Sequence, residues 1–153
     1  MNPVRIGNGA GFLGDNLDAP RRLVESAALD YLTLEYLAEL TLSILARLRE
    51  KNPQAGYAED FLTVLRSLLP ALAGQPGLKI VTNGGGMNPL ACAREAARLL
   101  AAAGLGQVPI GVVTGDDLLT RLPELQADGC ELAHLDTNRP LSSLAAEMVS
   151  ANA

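Results

Sequence analysis

Tryptophan is absent and aromatic residues make up only 3% of the 153 positions, so the core must be built from Leu, Ala, Val and Ile. Such a composition suits helices packed on a sheet. Histidine occurs once, as His134, and cysteine twice, as Cys92 and Cys130, with no C-x-x-C pairing. That count indicates neither a zinc site nor a disulfide framework, and no metal ligands are assigned. Lys and Arg number 12 against 17 acidic residues, a net charge of −5. A nucleic-acid partner, which needs clustered basic residues, is therefore not expected. No run approaches the ~18 uninterrupted apolar residues of a membrane span. The first residues, with Pro3, Arg5, Asn8 and Asp15, lack the apolar segment of a secretory signal. A cytoplasmic location without a membrane partner is the expectation.

What the chain does have is a hydrophobic fraction of 48%, enough to bury a sizeable core in one domain spanning residues 1–153. Its most informative stretch is Lys79-Ile-Val-Thr-Asn-Gly-Gly-Gly-Met-Asn-Pro89, a short apolar run emptying into three glycines and a helix start. Asn88 is suited to cap that helix and Pro89 to its first position, where a missing N–H loses nothing. Val4 to Gly7 reads as a minimal strand feeding a second glycine-rich loop, Asn8 to Asp15. A helix is expected from about Pro20 to Ala27, and a short strand within Leu29 to Glu35. Leu37, Leu40, Thr41, Ile44, Leu45 and Leu48 keep a helical rhythm that ends before Asn52-Pro53. Tyr57, Phe61, Val64, Leu65 and Leu68 make another such face, with Pro70 as its expected end.

Pro89 to Ala103 is Ala-rich and helical, with Gly104 as its stop. Val108 to Thr114 then reads as a fourth, buried strand, followed by Gly115-Asp116-Asp117, a helix from Leu118 to Leu122 and a last helix from Leu144 to Val149. Strands separated by helices imply a three-layer α/β fold with a mainly parallel sheet and Rossmann-like strand-loop-helix units. Ligands in such sheets sit beyond the carboxyl ends of the strands, so Asn8, Glu35, Asn83 and Asp116 are expected on one rim.

Candidate chemistry follows from that rim. Asn83, Gly84, Gly85, Gly86 and Asn88 either cradle an anion with backbone N–H groups and a helix N-terminus, or form a tight turn that only packs. The pattern is neither G-x-G-x-x-G nor a Walker loop. Asn8, Gly9 and Gly11 are ligand-binding candidates in the first loop. Glu35 and Asp116 are the candidate catalytic carboxylates, with Asp15, Glu39 and Asp117 as further acids. Two of them must converge for base chemistry or cation binding, and a helix-capping role for Asp116 is the competing reading. His134 has no G-x-S-x-G partner, and Cys92, inside the Ala-rich helix, reads as a small core residue.

Four segments resemble the amino-terminal part of the acyclic terpene utilization AtuA family: Arg5 to Asp15, Asp30 to Thr41, Lys79 to Pro89 and Ser150 to Ala153. The resemblance implies a catabolic role in acyclic terpene breakdown, of the citronellol and geraniol kind, through acyl-CoA intermediates. Family members are longer, so the chain is expected to be an amino-terminal portion that meets a missing carboxyl-terminal segment or forms a homo-oligomer. An acyl-CoA is the expected small-molecule ligand. The alternative is a non-enzymatic assembly module for a pathway enzyme such as an acyl-CoA carboxylase.

Overall fold

The computed structural model describes residues 3–143 and 148–152, and the chain divides into two compact units, Met1–Val113 and Thr114–Ala153. In the first unit, strands β1 (Ile6–Ala10), β2 (Tyr31–Leu34) and β3 (Lys79–Thr82) form an open parallel sheet in the order β1-β2-β3. Helix α1 (Ala19–Ser26) joins the first two strands. Helices α2 (Glu39–Lys51) and α3 (Glu59–Gly74) join β2 to β3, and α4 (Pro89–Ala102) follows β3. The second unit holds α5 (Leu122–Ala127), entered through a 3₁₀ turn at Leu119–Arg121. An open parallel sheet with five helices is the α/β architecture read from the sequence, and it is consistent with a three-layer fold.

Alternation along the central strand sets which side of the sheet is core. Leu32 and Leu34 are 0% and 2% exposed, whereas Tyr31 and Thr33 are only half-buried. Together with Val24 of α1, Phe61, Val64, Leu65 and Leu68 of α3, and Cys92, Ala96 and Leu100 of α4, the two leucines form one apolar cluster. Each fully buried side chain of this kind contributes about 1.5–3 kcal/mol relative to exposure. The register pairs Ile6 with Tyr31 and Tyr31 with Lys79, then Asn8 with Thr33 and Thr33 with Val81. These rows lie on the opposite side, where a further layer belongs in a three-layer fold. Gly9 is the extra residue where the β1 register shifts, and a Cβ there would stand 3.1 Å from Leu34 and Pro20.

Several sequence expectations are corrected. Pro70 does not end α3: the helix runs through it to Gly74, with Leu65 and Leu68 buried before it and Leu72 after it. Apolar contacts on both flanks outweigh the hydrogen bond that proline removes. Residues 108–114 form no strand among the described residues and are exposed. An apolar run needs a neighbouring ladder to become a strand, and Pro109 withdraws one donor from any such ladder. The expected terminal helix falls mainly on residues 144–147, outside the described ones, and residues 148–150 carry no regular structure.

Candidate functional site

The loops after β1, β2 and β3 meet at the carboxyl ends of the strands. Thr82, the last residue of β3, donates through Oγ1 to the carbonyl of Leu34 at 2.9 Å and accepts from the N–H of Gly84 at 2.9 Å. This fastens the β3 loop to the end of the central strand. Asn83 then spans the gap: its Oδ1 accepts from the backbone N–H of Tyr36 at 2.8 Å, and its Nδ2 donates to Glu35 Oε1. The same oxygen accepts from the N–H of Leu37 at 2.9 Å. The backbone N–H of Glu35 donates to the carbonyl of Ala10 at 3.0 Å, which ties the first loop to the second. Both donors to the Glu35 carboxylate share Oε1, and the described residues give Oε2 no partner. The side chain is exposed.

The three glycines are demanded by packing. A Cβ on Gly84 would stand 3.0 Å from Phe61 Cβ and 3.2 Å from the Tyr36 ring, and one on Gly85 would stand 2.8 Å from Pro89. Gly86 has φ +49° and lies directly against the side chain of Leu45 of α2. Most amides of this turn are also committed: Gly86 to Asn83 O, Met87 to Gly56 O, Asn88 to Gly85 O and Cys92 to Asn88 O, at 2.8–3.1 Å. Asn88 caps α4 as the sequence predicts, its Oδ1 accepting from Ala91 N at 3.3 Å, while its Nδ2 donates to the carbonyls of Pro53 and Ala55. The amides of Gly85 and Leu90 are left without a partner among the described residues. Both retain the capacity to meet an anion there.

The first loop is acidic. Asp15 accepts from the N–H of Gly11 at 2.9 Å and of Asn16 at 2.7 Å, and these two bonds hold its carboxyl below the usual range, Gly11's contributing most. Gly14 N donates to Asp60 Oδ2 at 2.9 Å, joining the loop to the start of α3. The Asn8 amide, turned so that its nitrogen faces the backbone, donates to the carbonyls of Ala10 and Thr33 at 3.1 Å. Asn8, Gly9, Gly11, Glu35, Asn83 and the triple glycine thus belong to one end of one sheet.

Asp116 belongs to the second unit, where its Oδ2 accepts from Asn152 Nδ2 at 2.9 Å. The helical segment there is approached by Asp117, whose Oδ1 accepts from Leu119 N at 3.1 Å, so Asp116 is not the cap expected of it. His134 closes a turn, its Nδ1 accepting from the N–H groups of Asp136 and Thr137. Cys92 is buried, which pushes its thiol up to about 11, in keeping with a core residue rather than a nucleophile. No group of three or more His, Cys, Asp and Glu able to hold a metal ion occurs among the described residues. No helix among them is long and apolar enough to cross a membrane.

Sequence reasoning ended a strand at Thr82 but missed Tyr36 and Asp60 as parts of this end of the sheet. Tyr36 stands next to a candidate it did name, Glu35. Asp60 carried no local signal, because its partner Gly14 is 46 residues away.

No curated protein and no solved structure matches the chain. The family model described as acyclic terpene utilisation family protein AtuA matches residues 4–153, running through both compact units. The chain belongs to the AtuA family, whose role is acyclic terpene utilisation.

Proposed function

We propose that this chain serves acyclic terpene utilisation by binding an acyl-CoA intermediate at the carboxyl end of its parallel sheet, with Glu35 facing the acyl portion. The observation that carries the reading is the one-sided anchoring of Glu35: Asn83 and Leu37 hold Oε1, and Oε2 is left to the exposed rim. A carboxylate fixed this way at the end of a central parallel strand is positioned to accept a proton from, or a hydrogen bond of, a bound ligand. Asn83 acts through Glu35 and Tyr36 and is a positioning residue. Asn88 positions the start of α4, where the amides of Gly85 and Leu90 offer the donors for a phosphate or carboxylate. Gly84 and Gly86 shape the turn that presents those amides, and Asn8, Gly9 and Gly11 shape the first loop beside them. Both units are read as parts of one α/β family domain, because the family match is continuous across them; Asp116 stays a candidate carboxylate of the second unit alone. A cytoplasmic setting suits this reading, since acyl-CoA intermediates are cytoplasmic metabolites.

The test is isothermal titration of geranyl-CoA and citronellyl-CoA into the wild-type chain and into Glu35→Gln. Saturable binding that Glu35→Gln weakens about tenfold or more is expected, because a charge-assisted hydrogen bond is lost. Equal affinity of the two proteins would remove Glu35 from the site.

A second reading, an assembly module that self-associates or holds a carboxylase-type partner, draws on one observation. Leu40, Ile44 and Leu48 recur at successive turns of α2 and are 72%, 44% and 45% exposed. Sedimentation of the purified chain, with Ile44→Glu as the disrupting variant, tests that stripe.

A further inference from the structure

Tyr36 is the one described side chain that buries a polar atom without satisfying it. The residue is 1% exposed, and its hydroxyl has no hydrogen-bond partner. Buried polar groups are almost always paired, since an unpaired one forfeits its hydration with nothing in return. The residue is held by three contacts. Phe61 meets it edge-on with centroids 6.5 Å apart, Gly84 packs against its Cδ2 side, and Asn83 holds its backbone N–H. Besides burial, the negative charges of Asp60 and Asp15 disfavour ionisation of the phenol. The first glycine loop is fastened to α3 by Gly14 N on Asp60 Oδ2, and its Leu13 packs on the cluster containing Tyr36.

We propose that Tyr36 is a ligand-binding residue whose hydroxyl donates to an oxygen, carbonyl or alcohol, at the polar end of an apolar chain that reaches it when the Gly14–Asp60 hydrogen bond between the first glycine loop and the start of α3 opens. The inference deepens the acyl-CoA reading and rests on it for the ligand class. Three features favour a neutral acceptor on an apolar chain. Burial, reinforced by the neighbouring carboxylates, pushes the phenol up to about 12, so it stays protonated and can donate. Asp60 and Asp15 repel an anion at that point, which leaves a carbonyl or hydroxyl oxygen as the acceptor. Phe61 meets the ring edge-on and Leu13 packs on the same apolar cluster, surroundings of the kind a branched hydrocarbon chain prefers. Glu35 and Tyr36 are adjacent in the chain and both held by Asn83, so one side chain sets the positions of two ligand-facing groups.

The test is Tyr36→Phe, which deletes the hydroxyl and little else. Without ligand, the variant is expected to be as stable as wild type or to melt higher by about 3 °C, because an unpaired buried group has been removed. Its affinity for geraniol and geranyl-CoA is expected to fall roughly three- to tenfold. A ligand-free Tyr36→Phe that melts lower would show the hydroxyl already satisfied inside the fold, by a buried water for instance, and would overturn the inference. So would unchanged affinity for both probes. Loss of affinity in Glu35→Gln but not in Tyr36→Phe would leave the acyl-CoA reading standing and sink only this one. Geraniol binding that depends on Tyr36, with no binding of geranyl-CoA, would do the reverse. If wild type binds neither probe, both fall.

Discussion

Asn83 accepts the backbone N–H of Tyr36 at 2.8 Å across 47 residues of sequence, and with its other side-chain atom it donates to Glu35. One amide therefore joins the loop after β3 to the end of the central strand. Asn83→Ala would strand the Tyr36 N–H and release Glu35. Chemical denaturation should show a loss of about 1–3 kcal/mol, the usual consequence of leaving a half-buried donor unpaired. A variant as stable as wild type would mean the bridge is dispensable.

Among the three consecutive glycines, Gly86 is the least replaceable. Its left-handed backbone and its contact with Leu45 both reject a side chain, so Gly86→Ala should destabilise by about 2–4 kcal/mol. Gly77, with open space where its Cβ would stand, is the control. Gly77→Ala should change stability by less than about 1 kcal/mol in either direction.

Asp15 provides a pH signature. Its carboxyl lies below the ordinary value of 3.8 in the fold because Gly11 and Asn16 donate to the charged form. A depressed carboxyl contributes stability that is present above its unfolded value and lost as pH falls through its folded one. The melting temperature of wild type should therefore exceed that of Asp15→Asn at neutral pH. The gap should start to close near 3.8 and vanish at lower pH. A gap independent of pH would point to packing as its source.

The two thiols should react very differently. Cys130 is exposed, while Cys92 is buried with its thiol raised to about 11. A chromogenic disulfide reagent at neutral pH should titrate one thiol rapidly in the native protein and a second only on unfolding. Two rapid thiols would show that the α4 face is open.

Local signals were legible where a few neighbouring residues decide the outcome. Asn88 and Pro89 announced the start of α4, Gly104 its end with φ +74°, and the alternation around Leu32 and Leu34 the central strand. Pro70 departs from the expectation because buried leucines on both of its flanks carry α3 past it. Residues 108–114 depart from the expectation because hydrophobicity alone makes no strand without a partner to pair with. The sequence located the end of the sheet through its glycines, yet not what those glycines do. Gly84 and Gly85 are small because Phe61, Tyr36 and Pro89 occupy the space beside them, and only the fold brings those residues together.

The proposed ligand site lies at the carboxyl end of the sheet, organised by Asn83 around Glu35 and Tyr36. Its most direct test is titration of the ¹⁵N-labelled chain with geranyl-CoA, following backbone amide shifts. Saturable shifts concentrated at Glu35, Tyr36, Gly85 and Leu90 are expected, and Asn83→Ala should abolish them. Shifts confined to α2, or none in a chain whose spectrum is folded, would contradict the claim.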